Sequence, residues 1–338
     1  MKVLIVSQAD VAALLPMAAC MDAMSDVLQA LSRGHAVLPL RQVLPLPDGR
    51  GAFAVMPAVL GRETKDTALG LKAITVLPGN HGTAYDSHQG AVLLFEGEHG
   101  SLQAILDASA LTAVRTAAVS GVATRALARD DAGDLAILGT GVQAGTHLEA
   151  MMAARRLRRV RAWSRNPEHV RAFAEGARRR HGIAVEAAAT AREAVTGADL
   201  VCTVTSSREP VVEAGWIAAG AHVNAVGASL AAARELDSAT VAAARLFVDR
   251  RESAQAEAGD FLIPRAEGLF TDDHIRGELG EVLLGRRPGR LAPGDITVFK
   301  SLGLAVEDLA AARLVHARAR ASGAGTWVEL GGERVPNP

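Results

Sequence analysis

The chain has 338 residues, 49% of them apolar and 22% charged, with a formal net charge of −1. That length suits two folded domains, and the charge balance gives no reason to expect a nucleic-acid partner, which calls for a strongly basic domain. Aromatic residues make up only 3% of the chain, which argues against base-stacking platforms as well.

Two cysteines, Cys20 and Cys202, can build neither a disulfide framework nor a four-ligand zinc site. No metal is expected, and this cysteine usage suits a reducing, cytoplasmic setting. The opening run MKVLIVSQADVAALLPMAAC superficially resembles a secretory leader. Asp10 interrupts it, and the apolar run from Val11 to Met21 is too short to span a bilayer. The better reading is a strand over Val3–Val6, then a helix capped by Ser7 with Asp10 at the acidic third position.

Short apolar runs follow at 38–44, 52–56, 69–77, 91–95 and 102–106, each bounded by Gly, Pro, Asp or Asn. Without long helices between them they predict an antiparallel or mixed sheet. His81 and His88 flank a turn and lack metal-ligand spacing; His81 stands only as a candidate proton donor. Residues 109–128 are alanine-rich and free of proline, which predicts a helix, and the polar run Arg129–Asp134 marks a domain boundary.

From Leu135 onward strands and helices alternate. Strands are predicted at 135–138 and 160–163, helices at 142–156 and 167–180, and buried strands near 199–204, 222–227 and 246–249. That alternation predicts a doubly wound parallel sheet. A helix over 301–321 and a Gly-rich tail end the chain. The expected fold class is therefore α/β: a Rossmann-type doubly wound parallel sheet plus a second α+β domain. There is no internal repeat and no transmembrane span, so no membrane partner is expected.

Gly139-Thr-Gly141-Val142-Gln143-Ala144 has the form G-x-G-x-x-A, between an apolar strand and a helix. Gly139 permits the tight turn, Gly141 lets the backbone approach a pyrophosphate, and Ala144 allows close helix–strand packing. A nicotinamide dinucleotide is the implied cofactor, with its phosphates at a helix N-terminus. At the end of the second strand, NAD sites place a carboxylate for the ribose 2′-hydroxyl. This chain has Ser164 and Arg165 there instead, a hydroxyl and a guanidinium that suit a 2′-phosphate. NADP(H) is therefore preferred over NAD(H); the alternative is that Arg165 joins the solvated basic face of Arg155, Arg156, Arg158, Arg159 and Arg161. Thr203, Thr205, Ser206 and Val226 follow the next buried strands, at the edge where such sheets bind ligands. Hydroxyls there serve equally well as turn formers.

Lys72, Arg41 and Arg115 are the basic residues to weigh in the first part. Lys72 lies in an otherwise apolar strand, where a solvated lysine is the commoner outcome. Arg115 sits among small apolar residues on a helix with no carboxylate nearby in sequence, and so wants a buried anion, such as a substrate carboxylate. Arg41 could be a sheet-edge charge.

Five strings, GLKAITVLPGN (70–80), SHQGAVLLF (87–95), LDASALTAVRTAA (106–118), LAILGTGVQA (135–144) and ITVFKSLGLAVEDLAAA (296–312), run almost end to end through the chain. In them it resembles the ornithine cyclodeaminase/μ-crystallin family. The resemblance implies a substrate-binding and dimerisation domain over 1–128, a Rossmann domain over 129–298, and a C-terminal helix over 299–338 that returns to the first domain. It implies a homodimer, Arg41 and Arg115 as carboxylate-binding arginines, Lys72 as the catalytic lysine that also binds substrate, and Thr116 and Lys300 as site lining on the cofactor side. Cyclodeaminase members carry an aspartate just after the fifth-strand glycine; Ser229 stands there in this chain, and an unaided serine is no general base near neutral pH. The chain is more similar to the reductive members, so the expected activity is NAD(P)H-dependent reduction of a small α-imino acid, reversible as an amino-acid dehydrogenase. One alternative is a cyclodeaminase-type lyase with recycled NAD, which would need another carboxylate such as Glu235. The other is a non-catalytic cofactor-binding protein.

Overall fold

In the computed structural model, residues 2–61, 66–80 and 82–332 are described. His81 lies outside the described residues. The chain divides into two compact units, one running through Arg115 and resuming at Leu304, the other Thr116–Gly303. The division falls inside a helix that continues unbroken past Arg115, earlier than the polar run Arg129–Asp134.

The first unit contains β1 (Lys2–Val6), α1 (Gln8–Leu14), α2 (Met17–Ser32), β2 (Ala36–Val37), β3 (Gln42–Pro45), β4 (Ala52–Leu60), β5 (Ala68–Val76), β6 (His88–Glu96), β7 (Leu102–Asp107) and the start of α3 (Ala108–Leu127). Ser7 caps α1, and Asp10 returns the bond in a capping box. The run at 38–44 is not one strand: Pro39 has no N–H for a ladder, so β2 ends before it and Arg41 falls in the connection to β3. Strands β4 to β7 form an antiparallel meander, and β7 pairs with β1 in parallel.

The second unit runs β8 (Asp134–Leu138), α4 (Val142–Ala154), β9 (Arg159–Trp163), α5 (Pro167–His181), β10 (Glu186–Ala187), α6 (Ala191–Val195), β11 (Leu200–Thr203), β12 (His222–Ala225), α7 (Ser238–Ala243), β13 (Arg245–Val248), α8 (Arg251–Glu257), α9 (Gly259–Ala266), β14 (Ile275–Glu278), α10 (Leu279–Leu283) and β15 (Thr297–Lys300). Its sheet is parallel in the order β10-β9-β8-β11-β12-β15-β13-β14. The order reverses between β8 and β11, the point where Rossmann-type sheets open a ligand crevice at their carboxyl edge. Strands β8, β11 and β12 are almost wholly buried, as their continuous apolar runs require when helices cover both faces.

The chain then returns to the first unit with α11 (Ala305–Ser322) and β16 (Thr326–Glu329). Helix α11 packs against α2, β4, β5 and β6, and β16 adds an antiparallel edge to β1. No single helix among the described residues is long and apolar enough to cross a membrane.

Candidate active site

Alternation in β5 turns Ala68, Gly70, Lys72 and Ile74 to the buried face. A Cβ on Gly70 would stand 2.8 Å from the Leu309 side chain, so the glycine is what lets α11 lie this close to the strand. The neighbour of Leu309 thereby reaches Lys72: Asp308 Oδ2 lies 2.8 Å from Lys72 Nζ. Lys72 is only 3% exposed, so the solvated reading of this lysine is corrected. Burial pushes its ammonium down to about 8, with Asp308 opposing and the charges of Arg115 and Arg41 reinforcing the shift.

Arg115, 4% exposed on α3, has anions within the chain. Its Nε donates to Asp308 Oδ1 at 2.8 Å and its Nη1 to Glu307 Oε2 at 2.9 Å. The lack of a nearby carboxylate in sequence is therefore misleading. Glu307 also accepts from the Leu304 N–H at the start of α11, which fixes both acids at the helix N-terminus, where the dipole favours them. Arg41, half-buried, is close enough to act on Lys72. Lys72, Arg115, Glu307 and Asp308 thus form one buried ionic network with the Arg41 guanidinium beside it. Guanidinium groups next to an ammonium suit a small carboxylate that also presents a nitrogen.

In the second unit, Gly139 turns the chain at φ 108°, and a Cβ there would stand 2.6 Å from the Val204 carbonyl oxygen. Gly141 is the N-cap of α4 and supplies no side-chain cap. Nothing lies within 4 Å of where its Cβ would stand, so backbone N–H groups at the helix start are open to a large anion. Ala144 is fully buried, while Val142 is 66% exposed at the same helix start. Gln143 is half-buried, and its carbonyl meets His147 Nδ1 at 2.8 Å. These residues fit a dinucleotide pyrophosphate.

Ser164 accepts from the Asn166 N–H at 3.4 Å, and Arg165 is exposed. Of the basic face named with Arg165, Arg156 is exposed and the other four arginines are engaged. Arg155 donates to the carbonyls that end α3, Arg158 pairs with Asp134 and Asp199, Arg159 with Glu186, and Arg161 donates to the Glu193 and Thr196 carbonyls. Among the described residues, Arg165 pairs with no carboxylate.

Four further sequence candidates are engaged within the second unit. The Thr203 and Thr205 hydroxyls both donate to Glu235, the loop-building role that such strand-end hydroxyls serve as readily as a ligand contact. Lys300 is fully buried, with Nζ 2.9 Å from Asp260 and donating to the Ala228 carbonyl; its charge is satisfied inside the unit. Glu235 is consumed by four donors and is not a spare general base. Thr116 is buried on α3, Val226 donates its N–H to the Thr203 carbonyl at 3.0 Å, and Ser206 and half-buried Ser229 remain on the loops. Among the described residues there is no cluster suited to a metal ion.

A doubly wound parallel sheet with an open glycine cradle at its crevice is the equipment of a nicotinamide-dependent oxidoreductase. Similarity to known proteins places it more narrowly. The chain belongs to the ornithine cyclodeaminase/mu-crystallin family, whose sequence model matches residues 1–323. It is 43% identical over 283 residues to the ketimine reductase mu-crystallin of Mus musculus, covering 84% of this chain and 85% of that one. It is 38% identical over 305 residues to a Delta(1)-pyrroline-2-carboxylate reductase of Bacillus cereus, covering 90% and 92% respectively. Among solved structures, the Thermococcus litoralis Delta(1)-pyrroline-2-carboxylate reductase in complex with NADH and L-proline superposes with a TM-score of 0.92 at 36% identity, over 96% of this chain and 99% of that one.

Proposed function

We propose that this chain reduces a small α-imino acid, cyclic or linear, to the amino acid with NAD(P)H, and that it runs in reverse as an amino-acid dehydrogenase. The observation that carries the reading is the buried lysine of β5, held by Asp308 beside Arg115 and Arg41. Relatives that carry ketimine reductase and pyrroline-2-carboxylate reductase names support it.

The nicotinamide supplies a hydride when bound; Gly139, Gly141 and Ala144 would hold its pyrophosphate. Everything else is asked of the chain's own side chains. Arg41 and Arg115 bind the carboxylate and fix the orientation of the C=N group. The substrate carbon gains the hydride and its nitrogen gains a proton. Lys72 Nζ gives that proton, and a group poised near pH 8 takes it back in the oxidative direction. Asp308 keeps the ammonium aimed and charged. Ser164 and solvent-facing Arg165 suit the 2′-phosphate, so NADPH is the preferred form and NADH the weaker substitute. A cytoplasmic homodimer belongs to the same proposal; β16, an edge strand with all four residues exposed, is a surface that assembly would cover.

The lyase alternative needs a carboxylate near Ser229, and Glu235 is already committed to four donors. The non-catalytic alternative leaves the cost of burying Lys72 unexplained. The experiment is an NADPH-oxidation panel with pyruvate plus methylamine, pyrroline-2-carboxylate, piperideine-2-carboxylate and iminosuccinate, repeated with NADH. Turnover with at least one imine supports the reading, and none with any of them overturns it.

A further inference from the structure

We propose that Glu235 is the positioning residue of the cofactor crevice, clamping the loop after β11 to the loop after β12. The proposal rests on the reading of the second unit as a nicotinamide-binding unit. Glu235 is wholly buried. Its Oε1 accepts from the Thr205 N–H at 2.7 Å and from Thr205 Oγ1 at 2.6 Å. Its Oε2 accepts from Thr203 Oγ1 at 2.8 Å and from the Gly227 N–H at 2.6 Å. One carboxylate thus holds the ends of two neighbouring strands. A Cβ on Gly227 would stand 2.1 Å from the Thr205 carbonyl oxygen, so the two loops already touch, and the Val204 carbonyl abuts Gly139 in the same way. The loops after β8, β11 and β12 are stacked edge to edge at the point where the strand order reverses.

A second buried pair braces this clamp. Asp260 Oδ1 accepts from the Glu235 and Leu236 N–H groups at 2.8 and 2.9 Å. Its Oδ2 lies 2.9 Å from Lys300 Nζ, and Lys300 donates to the Ala228 carbonyl on the same β12 loop. The ring closes: Glu235 fixes the loops, Asp260 fixes Glu235, and Lys300 ties Asp260 back to the loop. A carboxylate is required because only it offers acceptors on both oxygens. A glutamine at 235 turns one of them into a donor facing donors, and leaves buried N–H or O–H groups unmatched.

The test is Glu235→Gln, read by amide hydrogen exchange of the cofactor-free protein and by fluorescence titration with NADPH. Exchange should rise in the segments around Thr205 and Gly227 while strands β8 and β9 keep their protection. The NADPH Kd should rise at least ~10-fold, the loss of about one charge-assisted bond, with KM for the imino acid unchanged. Unchanged exchange and Kd, or exchange raised evenly across the unit, overturns the proposal. Thr203→Val deletes one of the four bonds at nearly constant shape. It should give the same localised exchange at lower amplitude, and it decides the matter if Glu235→Gln does not fold. A wild-type chain that binds neither NADPH nor NADH would instead refute the cofactor reading, while the exchange result still tests the clamp.

Discussion

Asp308 is shared between two buried cations, with Oδ2 2.8 Å from Lys72 Nζ and Oδ1 2.8 Å from Arg115 Nε. The carboxylate is itself held below the usual range by Arg115 and Lys72, against the opposing push of burial. The groups that act on Lys72 are Asp308 from α11, Arg115 from α3 and Arg41 from the β2–β3 connection, and Glu307 sits on Arg115. With Lys72 as the proposed proton donor, the rate of imine reduction should fall as pH rises through about 8, and amine oxidation should rise through the same value. Asp308→Asn removes the carboxylate that pairs with the lysine and raises its proton affinity. Both limbs should move to lower pH, measurable as kcat profiles in the two directions.

Lys72→Met should leave the arginines in place and remove only the proton donor. Reduction of the preferred imine should fall by at least ~100-fold, the usual worth of a positioned acid, with the NADPH Kd essentially that of wild type as fluorescence titration measures it. Near-normal turnover would remove Lys72 from the mechanism.

Arg165→Ser addresses the choice of cofactor. A guanidinium on the 2′-phosphate is worth about 1.5–3 kcal/mol as a charge-assisted bond, so the NADPH Kd should rise roughly 10- to 100-fold while the NADH Kd barely changes. Equal effects on both would assign Arg165 to the solvated face after all.

Two buried imidazoles set an acid limit on stability. Burial lowers His147 to about 4 and His222 to about 3. An unfolded histidine titrates near 6.5, so the unfolded chain binds more protons as pH falls below that value, and stability is lost in the same direction. Each should cost on the order of 2 kcal/mol by pH 5. A Tm that falls steadily from pH 7 to pH 5 is expected, and a flat profile would contradict it.

Much of this architecture is legible in the chain because it rests on local rules. Continuous apolar runs mark the buried parallel strands, and Gly139 is demanded by a positive φ and the close Val204 carbonyl, while Gly141 leaves the helix start open. Strands β10 and β14, two and four residues long and without apolar runs of their own, leave no comparable signal. The site is only half legible. Lys72 and Arg115 stand out as charges in apolar surroundings, but their partners do not, since Asp308 lies 193 positions from Arg115. The adjacent acids Glu307 and Asp308, in an otherwise apolar helix start, are the available clue. Thr203, Thr205 and Lys300 show the opposite limit. Residue type and strand-end position suit a ligand contact and an internal brace equally, and only the location of Glu235 and Asp260 separates them.

Hydride transfer from the nicotinamide to an imino carbon is tested most directly by following an isotope. The chain is incubated with NADPH deuterated at the transferable C4 position and each cyclic imino acid, and the amino acid formed is examined by mass spectrometry. One deuterium at the α-carbon, in step with NADPH consumed, is the expected result. Ammonia release from ornithine without net cofactor consumption, and no deuterium in any product, would contradict it.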